Sequence, residues 1–361
     1  MKQLLLTTIM LACLSQIQGQ SVNDNALDST ARITTILPGM TKPQTITVAI
    51  KNGRAIFQGD IVLGPIAEFQ AVQNRGVVLD GGIPALYRWP NGEIPFLIAP
   101  GFSPALLASL DRAIDYINGS THLRLVPKSN QGSFVRFIPS QFKANASAVG
   151  MAPFGQTIEF ADMGSGFNSF PTILHEIGHA AGLYHEQSRE DRDNFVIIHK
   201  ENIKCCFLEG NFEKNVLDGM DIGPYDFESV THYGPTDFGK TLSDGSTAIT
   251  ITSRGGQVFG NATEYSVGDV AAINFMYPTK ACIPDYTLRS NMVSHKRPLH
   301  FEVAGTINAG FDISNNSVIF DAGQLILLQP GFMAKPGNGG TFRAVIDGCA
   351  GAVQSRISPK E

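Results

Sequence analysis

The sequence of 361 residues predicts an α+β fold for its central part, with weak strands before it and a small all-β module after it. Two patterns predict the central part: apolar residues recur at helical spacing in three segments, and runs of alternating apolar and polar residues lie between them. The all-β module is predicted because helix signals are absent beyond Cys282, where Ala-Gly pairs interrupt short apolar runs. Such runs are typical of tight coils in a solenoid-like stack.

The first predicted helix begins at the cap Ser103 and the following Pro104, and it continues through residue 116. Its leucines, isoleucines and Ala113 are spaced for one apolar face. Strands are predicted for residues 45–50 upstream and for residues 94–98, 123–126, 134–138 and 156–160 in the central part.

Two further helices are predicted downstream of these strands. The second covers residues 170–181 and is broken by Gly182. The third begins after Ser266, where Asp269 three positions on can complete a capping box, and it runs toward Met276.

The composition is that of a globular chain, and the first residues predict export from the cell. Hydrophobic residues make up 43% and charged residues 16%, and the net charge of −5 argues against a broad basic surface for nucleic acid. Residues 1–20 have the pattern of a signal peptide, with Lys2, an apolar run over 4–14 and Gly19 near the cleavage point. Lipid attachment at Cys13 is the alternative. No later stretch reaches about 18 apolar residues, so no membrane-spanning helix is predicted.

Four cysteines follow residue 20: Cys205, Cys206, Cys282 and Cys349. An even number in an exported chain permits disulfides, and three pairings are open. A bond between the neighbours Cys205 and Cys206 would be strained, so we expect each of them to pair with a distant partner.

The most informative segment is residues 175–185, which is His-Glu-Ile-Gly-His-Ala-Ala-Gly-Leu-Tyr-His. Residues four apart lie on one face of a helix, so His175 and His179 can direct their imidazoles at one ion. Gly182 can adopt a left-handed conformation, which would turn the chain and bring His185 back as a third ligand. Three protein ligands leave a position for water on Zn²⁺, so one zinc ion per catalytic domain is predicted.

Glu176 directly follows the first of these histidines and can lie beside the water that zinc holds. Zinc lowers the pKa of such a water towards about 7, and a neighbouring carboxylate can take its proton. Glu176 can then pass that proton to a leaving amine. The sequence therefore predicts metal-assisted hydrolysis with Glu176 as the catalytic base.

This segment resembles the extended zinc motif of the metzincins, and its continuation, Glu-Gln-Ser-Arg-Glu-Asp-Arg-Asp over 186–193, resembles the astacin family. The resemblance covers roughly residues 55–280. It implies a zinc endopeptidase with two subdomains flanking a cleft, polypeptide substrates and synthesis as an inactive precursor. It also implies that Glu186 belongs to a buried network reached by the mature N-terminus.

Residues 229–233, Ser-Val-Thr-His-Tyr, resemble the astacin turn beneath the zinc, which usually reads Ser-Val-Met-His-Tyr. The resemblance gives Tyr233 two roles: it binds zinc in the resting enzyme, and it swings away to stabilise the oxyanion. Thr231 departs from the usual methionine. A smaller polar side chain there requires a repacked floor or a hydrogen bond to the hydroxyl.

Upstream, Phe57-Gln58-Gly59-Asp60 matches the Phe-x-Gly-Asp signature of astacin prosegments, whose aspartate binds the zinc and displaces the water. The predicted organisation is accordingly a signal peptide (1–20), a prosegment blocked by Asp60 (21–80), an astacin-like catalytic domain (81–283) and a β module of unknown role (284–361). An activating protease would cut between Asp60 and Trp89, for which Arg75-Gly76 is one candidate bond. The β module loosely resembles appendages of secreted bacterial proteins.

Two further expectations concern the cleft and the cysteines. Residues 149–160 align with the strand that astacins place along the cleft, where an extended substrate can pair with its main chain. Astacins often prefer an acidic residue after the cut, and Arg254 is a candidate for the cation that would bind it. The two usual astacin disulfides cannot form, because His122 stands at one expected cysteine and another cysteine pair is missing.

Two other functions fit parts of the sequence. Thr231 and the β module also suit an inactive zinc-binding adhesion protein, although Glu176 and all three histidines are intact. A non-proteolytic zinc hydrolase is the other, and the astacin-like run over 186–193 disfavours it. Nucleic acid and a membrane span are not expected, and the sequence does not fix an oligomeric state.

Overall fold

The computed structural model describes residues 29–35, 44–67, 88–140, 145–152, 154–162, 164, 169–204, 206–214, 220–280, 282–293, 295–314, 317–336, 340–347 and 349. The predicted signal peptide with Cys13, the candidate activation bond at Arg75 and the side chains of Cys205 and Cys206 lie outside the described residues.

Four antiparallel strands form an N-terminal sheet in the order β1-β2-β3-β4. They are β1 Ser29–Thr35, β2 Gln44–Lys51, β3 Arg54–Phe57 and β4 Ile61–Pro65. Asn52 and Gly53 join β2 to β3 with φ angles of 52° and 72°, the conformation that tight hairpins require. The apolar cluster of this sheet includes Val149 and packs against Tyr184, both from the central part. The central part therefore contributes to the core of this sheet.

The central sheet has four parallel strands in the order β6-β5-β7-β8. They are β5 Glu93–Ile98, β6 Arg124–Pro127, β7 Val135–Pro139 and β8 Gln156–Phe160. Each lies within a residue of the strand that alternation predicted. Their inward side chains join the main hydrophobic core of the chain.

Among the described residues, three helices pack on this part of the chain. They are α1 Pro104–Ser120, α2 Phe170–Ala181 and α3 Val267–Met276. The first ends four residues later than predicted, and in this extension the buried side chain of Asn118 donates to the carbonyl of Leu125, beyond the helix. No helix of the described residues is long and apolar enough to cross a membrane.

The chain between α2 and α3 folds into a second, mostly irregular unit. Its antiparallel strands are β9 Val196–Ile198 and β10 Ile251–Ser253, among short 3₁₀ segments. Its own apolar cluster consists of Val196, Ile203, Phe212, Tyr225, Tyr233, Ile251 and Phe259. The central part thus has two hydrophobic clusters, with α2 in one and Tyr233 in the other.

Nine short strands after Cys282 coil into three parallel stacks. The first stack contains β11 Tyr286–Thr287, β14 Thr306–Ala309 and β17 Leu325–Leu328. The second contains β12 Met292–Val293, β15 Ile313–Ser314 and β18 Ala334–Lys335. The third contains β13 Leu299–Val303, β16 Val318–Ala322 and β19 Phe342–Val345. We call these strands the C-terminal coils.

The C-terminal coils share one hydrophobic core with the central part. Gly119 of α1 lies against Leu299 and Phe301, where an added Cβ would come within 3.0 Å of both side chains. A disulfide joins Cys282, before the coils, to Cys349 in their last turn. Cys205 and Cys206 were each expected to pair with a distant cysteine, and that expectation is wrong, because the two distant cysteines after residue 20 bond to each other.

Candidate metal centre

Helix α2 presents two histidines on one face. The Nε2 atoms of His175 and His179 lie 2.9 Å apart, as their four-residue spacing predicts. Gly182 ends the helix at φ 112°, and its N–H donates to the carbonyls of Gly178 and His179. This left-handed cap turns the chain back and brings His185 to the first two rings.

Asp60 of the N-terminal sheet completes the group. Its Oδ2 atom lies 3.3 Å from Nε2 of both His175 and His185, and its Oδ1 atom lies 3.8 Å from Nε2 of His179. One ligand atom from each of these four residues lies within 4.8 Å of the others. We call Asp60, His175, His179 and His185 the metal cluster.

The other nitrogen of each ring is held by an oxygen. Nδ1 of His175 donates to the carbonyl of Val230 at 2.9 Å, and Nδ1 of His179 donates to that of Leu183 at 2.7 Å. Nδ1 of His185 lies 3.3 Å from Oε1 of Gln58. These contacts fix the tautomer that directs Nε2 at the centre of the cluster.

The donor set fits a zinc ion. Nitrogen and oxygen ligands of tetrahedral zinc at about 2.0–2.1 Å lie about 3.3 Å apart, and the distances of 2.9–3.8 Å in the cluster bracket that value. Oδ1 of Asp60 and Nε2 of His185 are buried without a hydrogen-bond partner among the described residues. A cation at the centre would satisfy both atoms.

The electrostatics of the cluster also favour positive charge at its centre. Burial alone would raise the pKa of Asp60, but the neighbouring His185 and His175 outweigh it and lower that pKa. Burial alone would lower the pKa of His175, but its hydrogen bond to Asp60 raises it to about 9. Burial lowers the pKa of His179 and His185, so these two rings stay neutral and can act as ligands.

Glu176 lies beside the cluster. It is 2% exposed, and its Oε2 atom makes no hydrogen bond to the described residues. Burial, and then the charge of Asp60, raise its pKa well above the usual range. A carboxylate in this setting can accept a proton and release it again.

Tyr233 approaches the cluster from the second hydrophobic unit. Its ring packs on His185 with centroids 4.5 Å apart, and its hydroxyl donates to the carbonyl of Gln58. Its main-chain N–H donates to Oε1 of the fully buried Gln187 at 3.0 Å. The hydroxyl is therefore engaged by the upstream segment.

Glu186 and Thr231, for which the sequence predicted structural roles, belong to two neighbouring hydrogen-bond networks. Glu186 accepts from the N–H of Asp226 at 2.8 Å and lies 3.5 Å from Nε of Arg189, and burial raises its pKa to about 8. The N-terminus predicted to reach Glu186 would arise from a cut between Asp60 and Trp89, and the candidate bond Arg75-Gly76 lies outside the described residues. The hydroxyl of Thr231 lies 2.9 Å from that of Ser229, so it is hydrogen-bonded in the floor of the site.

Two functional contacts were not expected from the sequence. Asp269, predicted only as a capping residue, also accepts from Oγ of Ser229 at 2.7 Å and from the N–H of Val230 at 2.9 Å. The side chain of Gln58 donates to Oγ of Ser188 at 2.9 Å. The capping box could have pointed to Asp269, whereas the variable position of the Phe-x-Gly-Asp pattern gave no signal for Gln58.

The edge of the central sheet differs from the prediction for residues 149–160. Ala146 pairs antiparallel with Glu159 outside β8, with main-chain hydrogen bonds of 2.9 and 3.2 Å. The edge is therefore formed by Ala146 and Ser147. The small residues around these positions do not show the alternation of large apolar and polar side chains that identifies a strand. Ser147 in turn pairs with the upstream segment, through the carbonyl of Asp60 at 3.1 Å and the N–H of Val62 at 2.8 Å.

A cavity of about 580 Å³ opens beside the metal cluster. The described residues that line it are Gly59, Asp60, Asn145, Pro171, Thr172, His175, Glu176, Val230, His232, Tyr233, Gly234, Asp237, Phe238, Gly260 and Ala262. Arg254 is not among these residues, and its Nε donates to the carbonyl of Asp193 at 2.7 Å. The structure thus does not bring the predicted cation into the cavity.

Two helical histidines with a glutamate between them, and a third histidine after a glycine turn, define a zinc hydrolase of the metzincin kind. The chain belongs to the astacin family, because the family model described as Astacin (Peptidase family M12A) matches residues 83–278, over half of its length. It is therefore a zinc metalloendopeptidase that acts on polypeptides, as the resemblance predicted.

Two relatives agree with this family. Astacin-like metalloprotease toxin 1 of Loxosceles intermedia is 37% identical over 194 residues, which cover 53% of this chain and 68% of the toxin. The low choriolytic enzyme of Oryzias latipes is 30% identical over 227 residues, 62% of this chain and 78% of that enzyme. Among solved structures, high choriolytic enzyme 1 of Oryzias latipes is 28% identical, covers 53% of this chain and 93% of that one, and has a TM-score of 0.46.

Proposed function

We propose that this chain is an exported endopeptidase precursor, held latent by its own upstream segment and hydrolysing peptide bonds with Glu176 as proton carrier once that segment is cleaved off. One observation carries the proposal: Asp60, over a hundred residues upstream of α2, contributes a carboxylate to the metal cluster.

The chemistry of the processed enzyme follows from the groups around the cluster. Bound zinc would polarise the substrate carbonyl and lower the pKa of the attacking water. His175, His179 and His185 would hold the ion through Nε2, because oxygen contacts of their other nitrogens orient the rings. Glu176 takes a proton from the attacking water and delivers it to the leaving amine. Tyr233, freed from Gln58, donates its hydroxyl to the oxygen that becomes negative.

Latency depends on more than the carboxylate of Asp60. Gly59 lies at φ 90°, and an added Cβ would come within 2.8 Å of the ring of Phe238, so only glycine lets the segment approach. Gln58 occupies the hydroxyl of Tyr233 and contacts His185. The segment therefore engages a ligand position, the oxyanion donor and the third histidine together.

The same segment also occupies the edge of the sheet. Asp60 and Val62 hydrogen-bond to the main chain of Ser147 as a parallel strand. An extended substrate would use these main-chain groups after the segment leaves. Removal of the upstream segment would thus free the substrate edge and the metal cluster in one step.

Export and activation complete the proposal. The signal-like residues 1–20 and the disulfide between Cys282 and Cys349 suit an oxidising compartment. Another protease would cut between Asp60 and Trp89, where Arg75-Gly76 is one candidate bond.

The proposal is tested with the precursor, the processed protein and two variants on casein. We expect the processed protein to cleave casein, a chelator to abolish cleavage, and zinc to restore it. Glu176→Gln should lower kcat by about 10²- to 10⁴-fold while retaining one zinc per chain. Glu228→Gln, at an exposed glutamate, is the matched control and should keep full activity.

Latency has a separate readout. The Asp60→Ala precursor should cleave casein before processing, whereas the unaltered precursor should not. A silent Asp60→Ala precursor that becomes active after processing would contradict the role of Asp60 only. Equal casein cleavage by the zinc-loaded Glu176→Gln protein would refute the mechanism.

A further inference from the structure

The cavity beside the metal cluster is acidic. Its described lining residues include Asp60, Glu176 and Asp237 but no lysine or arginine. Under the proposed function Asp60 leaves with the upstream segment, and Glu176 is used in proton transfer. Asp237 is then the charged side chain of this lining that can meet a substrate side chain.

The carboxylate of Asp237 is held in place by a tight turn. Its Oδ2 atom accepts from the N–H of Gly234 at 2.7 Å, and its own N–H donates to the carbonyl of Gly234 at 3.4 Å. Oδ1 makes no hydrogen bond to the described residues, and the residue is exposed. One oxygen is therefore fixed by the backbone, and the other is available to a ligand.

The turn that carries Asp237 is tightly packed. Phe238 has φ 58°, which is unusual for a large side chain, and its carbonyl accepts from the N–H of Lys204 at 2.8 Å. Gly260 packs so closely that an added Cβ would lie 2.4 Å from Cα of Gly234. Strained backbone that its surroundings hold in place is concentrated at functional sites.

The rest of the described wall offers no positive charge to compensate Asp237. Pro171, Thr172, Val230 and Ala262 are neutral. His232 is neutral by its contacts: Nδ1 donates to the carbonyl of Tyr233 at 2.7 Å, and Nε2 accepts from the hydroxyl of Tyr225 at 2.7 Å.

We infer that Asp237 makes this protease select substrates with lysine or arginine beside the scissile bond and disfavour aspartate or glutamate there. The aliphatic stem of the cationic side chain would lie along Pro171 and Val230, with its charged end at Oδ1 of Asp237. An acidic side chain would meet like charge in the same space. This inference rests on the proposed function, and it is the opposite of the acidic preference that the sequence led us to expect.

The test is cleavage of matched peptides by the processed enzyme. The peptides form two series: in one the residue before the cut is alanine, lysine or glutamate, and in the other the residue after the cut is varied in the same way. The value of kcat/KM is measured for each peptide. A partly exposed charge pair predicts that lysine exceeds alanine by about five-fold at one of the two positions, and that glutamate falls below alanine. The lysine preference should shrink in 0.5 M salt, because the Debye length falls to about 4–5 Å at that ionic strength and exposed charges are then screened.

Asp237→Asn keeps the acceptor for Gly234 and removes the charge, so the lysine-to-glutamate ratio should fall towards one. Asp244→Asn is the matched control, because Asp244 is also exposed and caps a turn through the N–H of Ser246 at 2.9 Å. Its ratio should match that of the unaltered enzyme. Asp237→Lys should reverse the preference.

The outcomes separate this inference from the proposed function. An enzyme that cleaves the alanine peptide but shows no lysine preference, or prefers glutamate, overturns the inference and leaves the proposed function intact. The same holds if Asp237→Asn and Asp244→Asn show equal ratios. Failure to cleave any peptide or casein would overturn both.

Discussion

Thr231 shows how one residue in the floor of the metal site can depart from a family pattern without an unsatisfied polar group. Oγ of Ser229 donates to Asp269 at 2.7 Å and accepts from the N–H of Thr231 at 3.1 Å. The hydroxyl of Thr231 therefore donates to Ser229 in this chain of hydrogen bonds, at 2.9 Å. Because the floor is bonded in this way, Thr231 does not by itself favour the inactive adhesion protein.

This network predicts the effect of Thr231→Val, which keeps the shape and removes the hydroxyl. Thr231 is 1% exposed, so loss of its hydrogen bond should lower the free energy of unfolding by about 1 kcal/mol, with zinc stoichiometry unchanged. Urea unfolding of the precursor measures the change. Thr247→Val, at an exposed position, should change it by less than about 0.5 kcal/mol. Loss of zinc from Thr231→Val would show that the hydroxyl positions a ligand.

At the scale of the element, the metal site depends on how α2 ends. Gly182 has a φ of 112°, and a Cβ added to it would lie 3.2 Å from Sδ of Met276. A residue with a Cβ would strain the left-handed cap that returns the chain to His185. Strain in this one turn would therefore change where His185 lies relative to His175 and His179.

Gly182→Ala should destabilise the fold by about 1–2 kcal/mol and weaken zinc binding, because the third ligand moves with the strained cap. Thermal unfolding with and without zinc measures both effects. Gly132→Ala is the control, since its Cβ would meet no heavy atom within 4 Å. Equal zinc-induced stabilisation in both variants would contradict the coupling.

The elements that the sequence predicted best are those whose signals are local. Helix α2 matches its predicted bounds, because both of its signals, the helical periodicity of its apolar residues and the glycine at its end, lie within the segment itself. The same is true of α3, whose capping box at Ser266 is present. The three histidines were predicted for the same reason, since the four-residue spacing of His175 and His179 and the glycine before His185 are local signals.

Features that depend on distant pairing were predicted poorly. The edge at Ala146 and Ser147 becomes a strand only through its partners, Glu159 on one side and Asp60 on the other. Gln58 has a role only because three separate segments, at residues 185–188, 213 and 233, meet around it. Arg254 was a candidate for the cleft because of its charge and the acidic preference implied by the family resemblance, and its contact with Asp193 could not be predicted from the sequence.

At the scale of the molecule, the C-terminal coils and the central part share one hydrophobic core. Asp115 of α1 is fully buried at their junction. Its carboxylate accepts from the hydroxyl of Tyr286 at 2.5 Å and from the N–H groups of Arg289 and Ser290 at 2.9 and 2.8 Å. Since α1 also packs on α2, through Tyr116 and Phe170, the coils support the helix that carries the metal ligands.

This junction predicts a pH dependence of stability. Burial raises the pKa of Asp115 to about 7, against the hydrogen bonds from Tyr286, Arg289 and Ser290, which lower it. The folded state then binds a proton that the unfolded chain releases near pH 4, so the stability from Asp115 is complete below about pH 4 and is lost as the pH rises through about 7. Asp115→Asn keeps an acceptor and does not titrate. The difference in unfolding free energy between the unaltered protein and Asp115→Asn, measured in urea, should therefore shift by about 3 kcal/mol against the unaltered protein between pH 4.5 and 7.5. Asp244→Asn should show no such shift, and a constant difference for Asp115→Asn would mean that its hydrogen bonds keep the carboxylate ionised throughout.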